Sequence, residues 1–357
     1  MKKFIIICCV ILMSLSLFGC EDVTKKPEGE LAYISYYSSA DGSDYSVAIN
    51  RALEDYALSH GKEFTAYQIR DIKKDTFIST LELAIKTGAT TFVIPYDFYS
   101  LLLEVHMNYP EQKFVVLDTY IADEILGEVK NIYSANFNSY ETGYIAGYML
   151  AFEEYTSFAY ASNFKNMVEE RYLSGVLTGL NDACNTIEIE EDGNISKKKV
   201  NFSVYDFTNT SLEDIKTKVA LAYQSKIDVF FYLGSTLFDV IEDYTERSGF
   251  EYVAYCANNK NPENDAITIQ IDYSSLLKAV LNYLDTESNP QTNLLFGMVD
   301  EVQSVTYDME YIELSTERKY MMLRDQILNE SLSLLDDSTI TWDMLKLENV
   351  TIERVSE

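Results

Sequence analysis

The chain has 357 residues, which is enough for two domains of common size. It contains 28 Lys and Arg residues against 57 Asp and Glu residues, so its formal net charge at pH 7 is −29. Such an acidic chain lacks the basic clusters that bind nucleic acid and anionic lipid headgroups. Nucleic acid and anionic lipid are therefore excluded as partners. A large net negative charge of this kind serves mainly to keep a protein soluble.

The N-terminal 20 residues predict export and a lipid anchor. Two lysines precede a short apolar run from Phe4 to Phe18, an arrangement typical of a cleaved export signal. The run is shorter than the roughly 20 residues that a membrane-spanning helix needs. Its end, LFGC, resembles a bacterial lipoprotein cleavage site. We therefore expect removal of residues 1–19 and lipidation of Cys20, with the protein held on the extracytoplasmic face of the cell membrane.

The first half of the mature chain predicts a parallel sheet. Residues 20–30 are polar and predict a tether, and after them short apolar runs alternate with segments of helical periodicity. In one such segment Phe77, Leu81 and Ile85 fall on one helix face, and Gly88 supplies a C-cap. The predicted strands are Leu31–Tyr37, Phe64–Ile69, Thr91–Pro95 and Lys113–Leu117.

The second half repeats the alternation and predicts a second lobe of similar build. Its predicted strands are Ser157–Ala161, Val200–Tyr205, Asp228–Leu233 and Tyr252–Tyr255. Its predicted helices lie near Val168–Leu180, Leu212–Gln224 and Leu237–Ser248. We expect the strand Ile267–Ile271 and the helix Ser274–Leu284 to return to the first lobe, and the tail to mix strands with a helix near Glu317–Leu335. The first lobe is then 31–138 plus about 266–300, and the second is about 139–265 plus about 301–357.

This organisation predicts a ligand site between the lobes, which meet around Asn138–Glu153. The loops at the carboxyl ends of parallel strands form a crevice, and domain interfaces are common ligand sites. The sequence offers few residues suited to catalysis. The only histidines, His60 and His106, are predicted at helix ends or on the surface, and no phosphate-binding glycine loop occurs. We expect no enzyme, metal or cofactor. Cys184 and Cys256 could pair or remain two buried thiols.

Three segments together resemble the basic membrane protein family. They are Tyr109–Asp118 (YPEQKFVVLD), Asn131–Ala151 with its glycine-spaced helix, and Arg171–Gly179 with its two glycines. The family comprises PnrA-like substrate-binding lipoproteins that deliver nucleosides to ABC transporters, and the resemblance covers roughly Leu31 to Leu284. It implies an α/β, two-lobed type I periplasmic-binding-protein-like fold, in which each lobe is a mostly parallel sheet flanked by helices, with hinge crossovers. It also implies an ABC permease as partner.

The resemblance further implies a set of ligand-binding residues. Tyr45 takes the place of a stacking aromatic side chain, suited to a flat base, although a surface tyrosine is an equal alternative in a chain with 28 tyrosines. Asp118 ends its strand where a carboxylate accepts hydrogen bonds from a sugar hydroxyl or a base nitrogen. The whole set is Asp41, Asp44, Tyr45, Ser46, Asp118, Phe164, Gly234, Ser235, Asn258 and Asp272.

The chain departs from the family's pattern at four polar positions, one of which is an aspartate missing near Tyr36, at the end of the first strand. Cys256 and Asn258 stand where the family has aspartates, and Asp272 stands where it has a lysine. Because changed site groups reject ligands that they no longer pair with, we expect a small polar ligand, with a nucleoside as one option. The leading hypothesis is a solute-binding lipoprotein of an ABC importer. The alternative is a transport-inactive surface lipoprotein that acts as a ligand sensor or interaction module.

Overall fold

The computed structural model describes residues 30–36, 44–162, 167–208, 210–232, 237, 240, 251–257, 265–332, 334 and 341–355. This part of the chain contains 15 strands and eight α-helices. The strands are β1 (Glu30–Tyr36), β2 (Phe64–Ile69), β3 (Ala89–Pro95), β4 (Lys113–Leu117), β5 (Ile132–Phe137), β6 (Ser157–Ser162), β7 (Glu188–Glu191), β8 (Asn194–Lys197), β9 (Val200–Asp206), β10 (Val229–Tyr232), β11 (Glu251–Ala257), β12 (Asp265–Ile271), β13 (Asn293–Phe296), β14 (Gln303–Tyr307) and β15 (Val350–Val355). The helices are α1 (Asp44–His60), α2 (Lys74–Thr87), α3 (Tyr99–Val105), α4 (Ser139–Leu150), α5 (Met167–Cys184), α6 (Leu212–Gln224), α7 (Tyr273–Thr286) and α8 (Leu314–Leu328).

Two large sheets organise the molecule into two lobes. The first has six strands in the order β13-β5-β4-β3-β1-β2, and all its neighbouring strands are parallel. The second has seven strands in the order β14-β12-β11-β10-β6-β9-β15, with β14 antiparallel to β12. In chain order, β1 to β5 and the set β6, β9, β10, β11, β12 both follow the doubly wound order 2-1-3-4-5.

The described chain passes between the sheets three times: between β5 and α4, between β12 and α7, and between β13 and β14. Helix α7 contacts α1 and β5 of the first lobe, whereas α4 contacts α5 and α8 of the second. These three crossing segments together form the hinge between the two sheets. Three connections restrict the relative motion of the lobes more than a single one would.

Both faces of the central strands of each sheet are buried, as expected for parallel strands covered by helices. Alternate residues of β1 point to opposite faces: Leu31 and Tyr33 join one apolar cluster, and Ala32 and Ile34 join another. The first of these clusters continues into the second sheet through residues such as Phe158, so a single apolar core passes through the hinge.

Helices α4 and α5 touch backbone to backbone. A Cβ added to Gly147 would lie 2.2 Å from the carbonyl oxygen of Val176, and one added to Gly179 would lie 2.1 Å from that of Tyr144. Gly143 and Gly175 face the same contact, with distances of 2.3 and 2.2 Å. The glycine spacing of this pair is therefore explained by a close helix crossing.

Most predicted elements form where they were expected. The strands Phe64–Ile69 and Lys113–Leu117 and the helix Leu212–Gln224 have the predicted bounds. Of the helix predicted near Leu237–Ser248, only positions 237 and 240 lie in the described part of the chain, and both are helical.

One lobe assignment is wrong. The strand predicted at Ile267–Ile271 forms as part of β12, but it pairs with β11 and β14 in the second sheet instead of returning to the first. The following helix α7 does return to the first lobe. The crossing therefore falls at Asp272, after the strand and not before it.

Candidate functional site

Asp118 lies at the carboxyl end of β4 in a left-handed backbone conformation that residues other than glycine rarely adopt. Its φ is +53°, and its carboxylate Oδ2 accepts a hydrogen bond of 3.2 Å from the hydroxyl of Tyr273. Tyr273 is buried at the start of α7, and its ring packs edge-on against Phe137 with centroids 5.1 Å apart. Backbone strain of this kind concentrates at functional sites. Here Tyr273, which follows the crossing between β12 and α7, holds the carboxylate of the strained residue in place.

A buried tyrosine lies close to the same carboxylate. The hydroxyl of Tyr33 is 3.4 Å from Oγ of Ser46, in the first turns of α1. Burial raises the pKa of Tyr33, the bond with Ser46 opposes the rise, and Asp118 and Asp97 raise it further. Tyr33 is therefore a neutral hydroxyl at physiological pH. Asp97 lies two residues after the end of β3, and Asp118 directly follows the neighbouring strand β4.

The corresponding edge of the second sheet is also polar. Ser162 ends β6 and donates from Oγ to Oε2 of Glu169 at 2.6 Å, and the Tyr160 hydroxyl donates to the Glu169 backbone carbonyl at 3.0 Å. Burial raises the pKa of the neighbouring Glu170, with a smaller contribution from Asp343. These bonds fix the first turns of α5 against the end of β6.

A buried carboxylate connects two of the three crossings. Glu141, in the first turn of α4, is only 5 % exposed; its Oε1 accepts the backbone N–H of Met298 at 3.1 Å, and its Oε2 accepts from Nδ2 of Asn138 at 3.3 Å. A Cβ on Gly297 would lie 2.4 Å from Oε2. Burial, chiefly, raises the pKa of Glu141 to about 7, and the charge of Asp300 adds to the rise.

The structure brings only some of the predicted ligand residues together. Ser46 and Asp118 both neighbour Tyr33. Asp272 is exposed and caps α7, accepting from Ser274 N at 2.8 Å and Ser275 Oγ at 2.7 Å. Asp44 and Tyr45 begin α1, but their side chains lie outside the described residues. Asp41, Phe164, Gly234, Ser235 and Asn258, like Cys20, also lie outside them.

Sequence reasoning missed Asp97, Tyr33 and Tyr273. Asp97 had a usable signal, because it lies two residues after a predicted strand. Tyr273 had none, since its partner Asp118 is 155 positions away in the chain.

The histidines and cysteines have mainly structural surroundings. His106 directly follows α3, at a helix end as predicted, but it is buried and not on the surface, with Nδ1 2.9 Å from Oδ1 of Asn131. His60 ends α1 and stacks on Tyr56 with ring centroids 4.0 Å apart. Cys184 is a buried free thiol, and the side chain of Cys256 is outside the described residues.

The described residues contain neither a candidate membrane-spanning helix nor a candidate metal cluster. No helix among them is both long and apolar enough to cross a membrane. No group of three or more His, Cys, Asp or Glu side chains in the same residues is arranged to hold a metal ion.

Residues 39–161 match the family model of the PnrA-like substrate-binding proteins of ABC transporters. The match confirms the resemblance seen in the sequence and covers most of the first lobe, together with α4 and nearly all of β6 of the second lobe. It includes Asp118 and the glycine-spaced helix α4. Proteins of this family act outside the cytoplasm. The comparison with curated proteins gave no significant match.

Solved structures share the fold at low sequence identity. A solute-binding protein of an ABC transporter system from Aeropyrum pernix K1 is 14 % identical, with a TM-score of 0.62 over 86 % of this chain and 94 % of that one. A periplasmic solute-binding protein from Actinobacillus succinogenes with bound D-allose is 9 % identical, with a TM-score of 0.59 over 82 % and 100 %. A protein described as a transcriptional activator of the comK gene from Bacillus halodurans is 12 % identical, with a TM-score of 0.66 over 86 % and 100 %. These likenesses confirm the two-lobed type I periplasmic-binding-protein-like fold.

Proposed function

We propose that this chain is the lipid-anchored solute-binding protein of an ABC importer. It captures a small polar solute, with a nucleoside as the first class to test, between its two lobes and presents the closed form to a permease. It makes and breaks no bond in its ligand. The observation that carries the proposal is the family match over residues 39–161, because that region contains the strained carboxylate of Asp118.

The geometry around Asp118 supports recognition of a hydrogen-bond donor. A carboxylate accepts at two oxygens, and the bond from Tyr273 involves Oδ2. Tyr33 and Ser46 add hydroxyl groups nearby. A solute with hydroxyl or N–H donors, such as a sugar, a polyol or a nucleoside, has the chemistry that this lobe offers. The rest of the implied set, Asp41, Asp44, Tyr45, Phe164, Gly234, Ser235, Asn258 and Asp272, belongs to the same proposal.

The anchor belongs to the proposal as well. Removal of residues 1–19 and lipidation of Cys20 would hold the protein beside its permease, and residues 20–30 would serve as the tether. Metabolic labelling with a fatty acid should mark the wild-type protein, and Cys20→Ala should abolish the label. Equal labelling of the two proteins would refute the anchor.

Calorimetric titration of the purified protein against nucleosides, sugars and polyols tests the central part. We expect one class to bind, and Asp118→Asn to weaken that binding by about tenfold or more, because it removes a charge-assisted hydrogen bond. Asp192→Asn is the matched control. Asp192 also has a positive φ, +51°, but it is exposed at the tip of the β7–β8 hairpin. Silence across all three classes, or equal loss in both variants, would contradict the proposal.

A ligand sensor without transport is the second candidate. It is favoured by the changed polar positions Cys256, Asn258 and Asp272 and by the shared fold of the protein described as a transcriptional activator. Deletion of the gene distinguishes the two functions. Loss of uptake of the bound solute supports import, whereas normal uptake with a lost transcriptional response supports sensing.

A further inference from the structure

One described side-chain contact joins the carboxyl edges of the two sheets directly. The guanidinium carbon of Arg171, on α5 of the second lobe, lies 5.0 Å from the ring centroid of Tyr120, on the loop after β4 of the first lobe. This is within the range of about 6 Å over which a cation is attracted to an aromatic face. Tyr120 is two residues from Asp118, so the contact lies beside the proposed ligand site.

The tyrosine side of the contact is held by its own lobe. The loop leaves β4 through the left-handed backbone of Asp118, which Tyr273 secures. It is then fastened at Ile121, whose N–H donates to Oδ1 of Asn293 at 2.9 Å and whose carbonyl accepts from Nδ2 of the same residue at 2.9 Å. Tyr120 lies between these two fixed points, so its ring has little freedom to follow a departing partner.

The arginine side is equally fixed. Arg171 is only 7 % exposed and lies in the second turn of α5. That helix is in backbone contact with α4, where a Cβ on Gly175 would lie 2.2 Å from the carbonyl oxygen of Tyr140. Because both partners are attached to rigid supports, relative movement of the lobes cannot be absorbed locally and has to separate them.

We propose that Arg171 and Tyr120 form a latch that stabilises the closed arrangement of the lobes before any solute binds. The proposal rests on the proposed function, because it describes how the same cleft closes. A contact made only in the closed state shifts the population toward that state by its own free energy. A larger closed fraction in turn raises the apparent affinity for a solute that binds the closed form.

Small-angle X-ray scattering of the purified protein, without any added solute, measures the latch. We expect Tyr120→Leu to increase the radius of gyration and to lower the ratio of closed to open molecules by about tenfold, which lies between the values for an exposed and a fully desolvated cation–aromatic contact. Arg171→Lys should act in the same direction, because lysine keeps the charge but loses the planar group that stacks on a ring. Tyr120→Phe, which keeps the aromatic face, should leave the scattering of the protein unchanged.

The double variant Tyr120→Leu, Arg171→Lys should open the protein no further than either single change does, since the two residues act as one contact. Fluorescence of Trp342, the only tryptophan, reports whether the second lobe remains folded in each variant. Unchanged scattering in both Tyr120→Leu and Arg171→Lys would overturn the latch, and so would additive opening in the double variant. Because no solute is present, a silent binding panel would reject the proposed ligand classes and leave this result standing.

Discussion

The two lobes wind their strands in the same order but hold their helices together differently. In the second lobe α4 and α5 meet at glycines, backbone against backbone. In the first lobe polar contacts link α1 and α7: the Tyr56 hydroxyl lies 3.2 Å from Asn282 and 3.3 Å from Asp285, and Lys62, just after α1, pairs with Asp285. The helix contact in the second lobe thus requires that the glycines have no side chains, whereas polar side chains strengthen the helix contact in the first lobe.

The largest effect should come from adding a methyl group to the glycine contact. Gly147→Ala places a Cβ 2.2 Å from the Val176 carbonyl oxygen, so the helices have to separate. We expect a loss of about 3 kcal/mol in the free energy of unfolding, as for other overpacked sites. Denaturant unfolding followed by Trp342 fluorescence checks this in the second lobe.

Gly127→Ala is the control for that substitution. Nothing lies within 4 Å of the position that its Cβ would take, and its φ is not in the left-handed region. Its unfolding midpoint should stay near that of the wild type. Equal destabilisation by the two substitutions would mean that the close helix crossing is not what the glycines serve.

How far the sequence predicted this structure differs between elements. Lys113–Leu117 and Leu212–Gln224 were predicted with the observed bounds because their apolar patterns fit one period only. Asp118 was predicted as a ligand residue from its place at a strand end and from the resemblance, and that role stays a prediction. In contrast, β12 was assigned to the wrong lobe, since an apolar run has the same pattern in either sheet and pairing is decided by tertiary contacts.

Elements without an apolar pattern were beyond sequence reasoning. The β7–β8 hairpin is largely exposed and acidic, so nothing in its residues distinguishes it from a loop. The hinge residue Glu141 was noted only as part of a family segment. Its role depends on Met298, which lies 157 positions further along the chain.

The carboxylate of Glu141 in the hinge should make the stability of both lobes depend on pH. The pKa of Glu141 is about 7 in the fold, against 4.5 as its ordinary value, so folding favours its protonated form. Its contribution to stability is therefore fully present below about pH 4.5 and is lost as the pH rises through 7. The loss is at most about 3 kcal/mol. Because both lobes share this hinge, probes of either one should report it.

Glu141→Gln tests this dependence. Relative to the wild type, the glutamine variant should become more stable as the pH rises from 5 to 8, whatever its constant offset. The measurement is the free energy of unfolding at several pH values. Glu190→Gln, which removes the same charge from the exposed strand β7, is the control. A difference between Glu141→Gln and wild type that stays constant across this range would contradict a buried, titrating hinge.

A smaller effect on stability is expected from two lysines that donate to carbonyls at helix ends, one in each lobe. Lys198 is buried, its pKa is lowered by burial, and it donates to the backbone carbonyls of Ala151 and Glu153 after α4. Half-buried Lys113 donates to the Leu284 carbonyl of α7 at 2.6 Å. We expect Lys198→Met to cost about 2 kcal/mol and Lys113→Met about 1 kcal/mol, because buried carbonyls left without a donor are the costlier loss. Thermal unfolding midpoints check the order, and a larger loss for Lys113→Met would reverse the comparison.

Hydrogen exchange measured by mass spectrometry, with and without the bound member of the solute panel, tests most directly whether the solute lies between the two lobes. The account predicts slower exchange of the backbone amides in both edges at once, in the first lobe at Leu117–Ile121 and in the second at Glu169–Leu173. Protection confined to one lobe, or spread over the surface away from both edges, would contradict a site between them.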